Sequence, residues 1–299
     1  MICGTRGSDL AIIQTRLVID ALRRAGVDAP IEVKVVETSG DRSSRTPGTD
    51  TGGVGAFVRE IDSQLVSGEV DFAVHSFKDV PTEPRRGVET VAALRRANPR
   101  DYLVARQPLS KLPMGATVGT SSPRRRAQLL RLRPDLRIVP LRGNVPTRIR
   151  KVYEQRLDGG VVAKAGLDRL GMGPVGHTLP LRDFVPAPAQ GVIVVTARTG
   201  GEAASVLRKV NHGPSMLAAE AERTVMRALG GGCATPIGIY AAVAERRLVV
   251  TAMILSPNGA KCLRHSASFP LSSADEGIRK FGEALRREGG DELVRECER

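Results

Sequence analysis

The chain has no tryptophan, three tyrosines and six phenylalanines among its 299 residues. With so few rings it offers little for stacking bases, which weighs against single-stranded nucleic-acid binding while leaving backbone contact open. The four cysteines, Cys3, Cys233, Cys262 and Cys297, form no CxxC pair and have no histidine at ligand spacing. Neither a disulfide scaffold, a zinc site nor a redox couple is signalled. No apolar run approaches the ~20 residues of a membrane span; LVVTAMIL is typical of the longest. The N-terminal MICGTRGSDLAIIQT lacks a basic stretch followed by an apolar one, because Arg6 and Asp9 interrupt it. These absences set the expectation of a cytoplasmic protein with reduced thiols, no metal and no membrane partner.

What the chain has in excess is positive charge. Lys and Arg number 45 against 32 acids, a net charge of +13. The segment Arg124 to Lys151 holds ten Lys/Arg residues against one acid, Asp135, and so carries most of the excess. Such a stripe reads as an anion-binding surface for nucleic acid, membrane phosphate or a polycarboxylate. Arginine on solvated helix faces is the plain alternative.

At roughly 100–200 residues per domain, the length allows two or three domains. In SDLAIIQTRLVIDALRRAG, Leu10, Ile13, Leu17, Ala21 and Leu22 recur at helical spacing between a Ser8 N-cap and a Gly26 stop. IEVKVV, VDFAVHS, ATVGTSS, RIVPLRG, GVVAKA and GVIVVTA read as buried strands separated by helices, which argues for α/β domains with mainly parallel sheets. Between the first two of these strands, ETSGDRSSRTPGTDTGGVG reads as a long polar loop. From about residue 214, a helix followed by grouped alternating strands marks a separate α+β domain with Cys233 on a loop at its edge.

Three times a strand runs into a polar, arginine-bearing loop that opens a helix: GTRGSDL, GTSSPRRRAQ and LRGNVPTRIR. Helix N-termini present unpaired N–H groups and partial positive charge, so each junction is a seat for an anion. The first two junctions share Gly-Thr and a glutamine farther on, Gln14 and Gln128, a hint of two related lobes. Elsewhere, DFAVHSFKDVP ends a strand with His75, Ser76, Lys78 and Asp79 close together. Ligands bind outside strand C-termini in open α/β sheets, which puts Lys78 and Asp79 in a binding region. Asp79 is then a structural counter-ion or a carboxylate held to face a positive intermediate; His75, ending an apolar strand, reads as a packed histidine.

HSFKDVPTE, GTSSPRRRAQL, LRGNVPTR, AGLDRLG, PAPAQG and GGGCATPIG occur in this order and resemble the signature segments of the porphobilinogen deaminase (hydroxymethylbilane synthase) family over nearly the whole chain. The resemblance implies two lobes of the periplasmic-binding-protein type, joined by crossings near 95–99 and 186–191, and a C-terminal domain. Its domains would be 1–94 plus 192–209, 100–185, and 214–299. It implies an enzyme that joins four porphobilinogen molecules head to tail with loss of ammonia, each unit adding two carboxylates, and then hydrolyses the chain from its primer. The primer is a dipyrromethane cofactor, held by motif through a thioether to Cys233. Glycines 230 to 232 would free that loop and Pro236 would end it.

By the same resemblance Asp79 is the catalytic carboxylate, stabilising the cation left when ammonia departs and relaying the proton lost on coupling. Arg6, Lys78, Arg124, Arg125, Arg142 and Arg148 match the basic residues that grip acetate and propionate groups, and Arg169 lies in a matching segment. Of these, Lys78, Arg124 and Arg125 go with the cofactor, as do Ser76, Thr120, Ser121, Ser122 and Gln190; Arg6, Arg142, Arg148 and Arg169 go with substrate, as do Ser8 and Gln14. Bidentate guanidinium–carboxylate pairing explains the preference for arginine. The chain departs from the family pattern at Asp50 and Val54, where lid lysines are expected, and at Asp9, Pro146 and the glycine preceding the GGC turn. Cys3, Cys262 and Cys297 read as structural thiols. The expected partner is a small polycarboxylate substrate and the expected state a monomer; a non-catalytic anion receptor and a nucleic-acid-binding protein are the rival readings.

Overall fold

The computed structural model describes residues 1–40, 55–83, 85–230 and 235–297. Cys233, the neighbouring Gly231 and Gly232, Asp50 and Val54 lie outside the described residues. The chain opens with β1 (Ile2–Thr5), α1 (Asp9–Arg24), β2 (Glu32–Val35), α2 (Arg59–Ser67), β3 (Phe72–Ser76) and β4 (Val88–Ala93). There follow β5 (Asp101–Val104), β6 (Thr117–Gly119), α3 (Pro123–Leu132), β7 (Arg137–Val139), α4 (Val145–Glu154), β8 (Gly159–Ala163), α5 (Lys164–Arg169) and β9 (Gly176–Thr178). The last part holds β10 (Ile193–Arg198), α6 (Ala203–Leu207), α7 (Gly213–Ala228), β11 (Ile237–Ala244), β12 (Arg247–Leu255), β13 (Cys262–Pro270), α8 (Ala274–Leu285) and α9 (Asp291–Arg295). Two compact units result: 1–97 with 191–217, and 98–190 with 218–299.

The first unit is built on a five-stranded sheet in the order β2-β1-β3-β10-β4. β1 runs parallel to β2 and β3, whereas β10 is antiparallel to β3 and β4. Alternation along β3 sends Phe72 and Val74 into a core with Val18, Leu22, Ile193, Val195 and Leu207, and Ala73 to the opposite face with Ile61, Leu65 and Val70. Helices therefore cover both faces, as a sheet with parallel connections requires. Cys3 is fully buried in the first core, and burial pushes its thiol well above the usual range.

α1 spans the predicted segment, with Ser8 as N-cap, but its buried face is turned from the predicted one. Ala11, Gln14, Thr15, Val18, Ile19 and Leu22 face inward, and Leu17 is exposed. The reason lies in two polar contacts: Thr15 Oγ1 donates to Thr5 Oγ1 at 2.9 Å, and Gln14 is tied to Ser76. Hydrophobic spacing alone does not register them.

On α2, Asp62 is buried, and its Oδ1 has no hydrogen-bond partner among the described residues. Burial pushes its carboxyl up to about 6, with Arg85 opposing the shift. A raised folded-state value contributes stability below the unfolded value, near 4, that is lost as pH rises through about 6. Asp62→Asn is therefore expected to melt higher than the parent at pH 8, by about 2 kcal/mol in stability, and to match it at pH 4. Thermal melts at the two pH values check this; equal melting at pH 8 would show that the buried carboxylate carries no penalty.

The second unit repeats the first sheet's order, as β7-β6-β8-β5-β9. β6 is parallel to β7 and β8, and β5 is antiparallel to β8 and β9. In each sheet the first three strands form a parallel set, and the strand reached after a crossing pairs antiparallel with the third. The shared Gly-Thr and glutamine reflect this equivalence: Gln14 and Gln128 each lie six residues past an N-cap serine, Ser8 and Ser122, and each is buried. The C-terminal part of this unit is the antiparallel meander β11-β12-β13 with α8 and α9. Met253 and Leu255 of β12 pack on Ala127 and Val185. At Gly238 the backbones come so close that a Cβ would stand 2.6 Å from the Val185 carbonyl oxygen.

Candidate functional site

In the first unit the sequence-predicted residues gather at the C-terminal ends of the parallel strands. β1 delivers Arg6 and Ser8, whose Oγ caps α1 by accepting from Ala11 N at 3.3 Å. The Arg6 guanidinium lies 4.0 Å from the centre of the Phe57 ring. β3 delivers Ser76, which exchanges hydrogen bonds with the Gln14 amide at 2.8 and 3.1 Å. The chain then makes a single 3₁₀ turn, Phe77–Asp79. Phe77 is fully buried, and its N–H donates to Val192 O at 3.0 Å. Lys78 and Asp79 are thus carried half-exposed on a turn pinned by its first residue.

His75 is buried behind this turn, and its Nε2 has no hydrogen-bond partner among the described residues. Burial, helped by the Arg6 charge, pushes its imidazole down to about 4. It is therefore neutral at physiological pH and sits as a packed residue of β3.

In the second unit the β6–α3 junction contributes Thr120, Ser121 and Ser122. Each hydroxyl oxygen accepts from a backbone N–H: Thr120 from Ser122 at 3.1 Å, Ser121 from Leu141 at 3.0 Å, and Ser122 from Arg125 at 3.4 Å. With these acceptor positions in use, the O–H protons are the groups left to meet an anion. The Ser121 bond also ties this junction to the next one, β7–α4, on the neighbouring parallel strand. There Arg142 is exposed, and Arg148 is half-buried with its Nε donating to Gly143 O at 2.7 Å. Gly143 has φ +116°, and a Cβ there would fall 2.8 Å from the Thr147 methyl, so the sharp entry into α4 requires glycine. Arg169 ends α5, where burial lowers its guanidinium to about 10.

Arg124 and Arg125 point inward. Both are 5% exposed, and between them lies Asp101, the fully buried first residue of β5. Arg125 Nε and Nη2 donate to Asp101 Oδ1 at 2.9 and 2.7 Å, and its Nη1 donates to Val161 O at 3.0 Å. Arg124 Nη1 stands 2.8 Å from Asp101 Oδ2 and donates to Val185 O at 2.8 Å. Gln190, also buried, donates from Nε2 to Pro99 O at 2.7 Å and to Asp101 Oδ1 at 3.1 Å. Burial alone would raise the Asp101 carboxyl, but the two guanidiniums outweigh it and hold it below the usual range.

Besides Asp62, two buried acids are not signalled by the sequence motifs. Asp101 was findable as an acid opening an otherwise apolar strand. Glu222, fully buried on α7, accepts from Ala189 N at 2.5 Å and Ala241 N at 2.6 Å, and nothing in its helical neighbourhood singles it out. Among the described residues no cluster of side chains could hold a metal ion, and no helix is long and apolar enough to cross a membrane.

Comparison with known proteins gives this geometry a context. Residues 1–205 match the family model described as porphobilinogen deaminase, dipyromethane cofactor binding domain, and residues 216–280 match that of the porphobilinogen deaminase C-terminal domain. A probable porphobilinogen deaminase of Methanosarcina mazei is 43% identical over 302 residues, covering 99% of this chain and 95% of the relative. The porphobilinogen deaminase of Syntrophomonas wolfei is 40% identical, covering 99% of this chain and 97% of the relative. Among solved structures, substrate binding domain 2 of Lactococcus lactis GlnP is similar with a TM-score of 0.42 at 10% identity, covering 77% of this chain and 89% of that one. Two family models that together take in most of the chain, and relatives at such identity over nearly its full length, make the chain a member of the porphobilinogen deaminase family.

Proposed function

We propose that this chain condenses porphobilinogen head to tail, with loss of ammonia, into the linear tetrapyrrole hydroxymethylbilane. The match of residues 1–205 to a dipyrromethane cofactor binding domain carries this reading, which assigns the chain as a transferase of tetrapyrrole biosynthesis. The residues present fit such a cofactor: two buried guanidiniums face a single acid, and three hydroxyls beside them have protons to donate. Cys233 would hold it by a thioether, with Lys78, Ser76, Thr120, Ser121, Ser122, Arg124, Arg125 and Gln190 around it. When bound, it supplies a covalent primer that keeps every intermediate on the protein until hydrolysis.

The chain's own groups then divide the work. Arg6, Arg142, Arg148 and Arg169 pair with the acetate and propionate groups of incoming substrate, helped by Ser8 and Gln14. Asp79 accepts hydrogen bonds from pyrrole N–H groups, stabilises the cation formed as ammonia leaves, and takes up the proton lost on coupling. Its place on a turn anchored by Phe77 keeps that carboxylate fixed while the product lengthens. The division into domains 1–94 plus 192–209, 100–185 and 214–299, a monomeric state, a cytoplasmic location and independence of nucleic acid belong to the same proposal.

Incubating the purified protein with porphobilinogen is expected to release one ammonia per pyrrole consumed and to yield a linear tetrapyrrole. Substrate left unconsumed by protein that carries the cofactor mass would remove the enzymatic reading. Tight, sequence-independent binding to DNA at physiological salt would favour the nucleic-acid alternative.

A further inference from the structure

The cluster around Asp101 is electrically incomplete. Two guanidiniums and one carboxylate, none more than 5% exposed, leave one positive charge in a dry environment. Only Asp101 opposes that charge on Arg124, with Arg125 adding repulsion. Burying a cation without a partner is costly, so the arrangement calls for one more anion. Geometry also fixes where it must come. Asp101 and Val161 O occupy three of the Arg125 donors, while on Arg124 the recorded bonds use Nη1 alone. The remaining N–H groups of Arg124, which is on the first turn of α3, form a fork for one further carboxylate.

We infer that Asp101 is a positioning residue for the cofactor: it neutralises one of the two arginines and orients both, so that the pair accepts a single cofactor carboxylate. This rests on the proposed reading that Arg124 and Arg125 hold the cofactor. The same carboxylate receives Gln190, which also holds Pro99 O. The chain first enters this unit at 98, leaves it at 190 and re-enters at 218, so Asp101 joins the arginine pair to the ends of the 98–190 segment. An Asp chosen only to cancel charge could stand anywhere near the pair; this one also fixes where the pair sits in the fold.

Three variants test the inference: Asp101→Asn, Asp101→Glu and Arg124→Gln. Each is examined by circular dichroism for folding, by intact mass for cofactor, and by KM and kcat with porphobilinogen. Folded Asp101→Asn is expected to carry cofactor in about a tenth of the wild-type proportion, because the two guanidiniums, no longer drawn to one carboxylate, repel each other and lose the orientation that presents them as a pair. The loaded molecules are expected to lose about tenfold in kcat at a near-normal KM, since a misoriented pair holds the primer out of line. A merely structural acid would lower the yield of folded protein and leave each folded molecule fully loaded with wild-type kcat; that result overturns the proposal. Should Asp101→Asn fail to fold, Asp101→Glu carries the test. It retains the charge but moves the carboxylate by one methylene, and wild-type occupancy together with wild-type kcat in it overturns the positioning role. Full occupancy in Arg124→Gln would instead remove the underlying reading that the pair holds the cofactor.

Discussion

Asp79→Asn is expected to lower kcat by about 10²- to 10³-fold with the fold intact. The substitution keeps the shape of the side chain and removes its charge and its capacity to accept a proton. Nothing else in the turn can take over: Phe77 is buried, Lys78 is a cation, and His75 is neutral and packed behind the turn. The turn itself should survive, because its anchors are the Phe77 ring and the Phe77 N–H to Val192 O bond. The measurement is single-turnover kinetics on molecules that carry the cofactor mass, so that failure to load is not mistaken for failure to react. Turnover within about threefold of the parent would take Asp79 out of the chemistry.

Cys233→Ser is expected to abolish product formation altogether, since it removes the proposed attachment point and not merely a contact. Its intact mass should equal that of the bare chain after expression with porphobilinogen available, whereas the parent should be heavier by one dipyrromethane. The other three cysteines serve as internal controls. Cys3 is fully buried and its thiol is held protonated by burial; burial also raises the half-buried Cys262, against opposing charges from Arg131 and Arg264. Cys297 donates to Leu293 O at 3.2 Å. Serine at any of these three positions should leave the added mass in place. Added mass on Cys233→Ser would place the tether elsewhere.

The strand ends and helix starts that carry the candidate residues are legible because they are written in local sequence. Ser8, Ser122 and Asn144 cap helices where Ser, Pro and Asn patterns say they should, and each follows the end of a parallel strand. Orientation was not legible. Spacing within PRRRAQ cannot tell whether Arg124 and Arg125 look outward or inward, because the answer depends on Asp101, more than twenty residues earlier on a different strand. The buried face of α1 escaped for the same reason: Gln14 and Thr15 turn inward to partners on β3 and β1. Glu222 is the extreme case, its two backbone donors lying 33 residues before it and 19 after it. Polar burial is a tertiary property, and periodicity reports only the apolar part of a helix face.

The place of β10 between β3 and β4 sets the order in which this protein can be made. β3 and β4 are finished by residue 93, but the strand that must lie between them spans Ile193–Arg198, about a hundred residues later. At ~5–20 residues per second, the ribosome leaves those two strand edges unpaired for roughly 5–20 s. During that interval the second sheet, whose strands all fall between Asp101 and Thr178, is synthesised in full and can close first. The N-terminal sheet is therefore the last of the two to be completed, and its waiting edges are the segment of the nascent chain most in need of a chaperone.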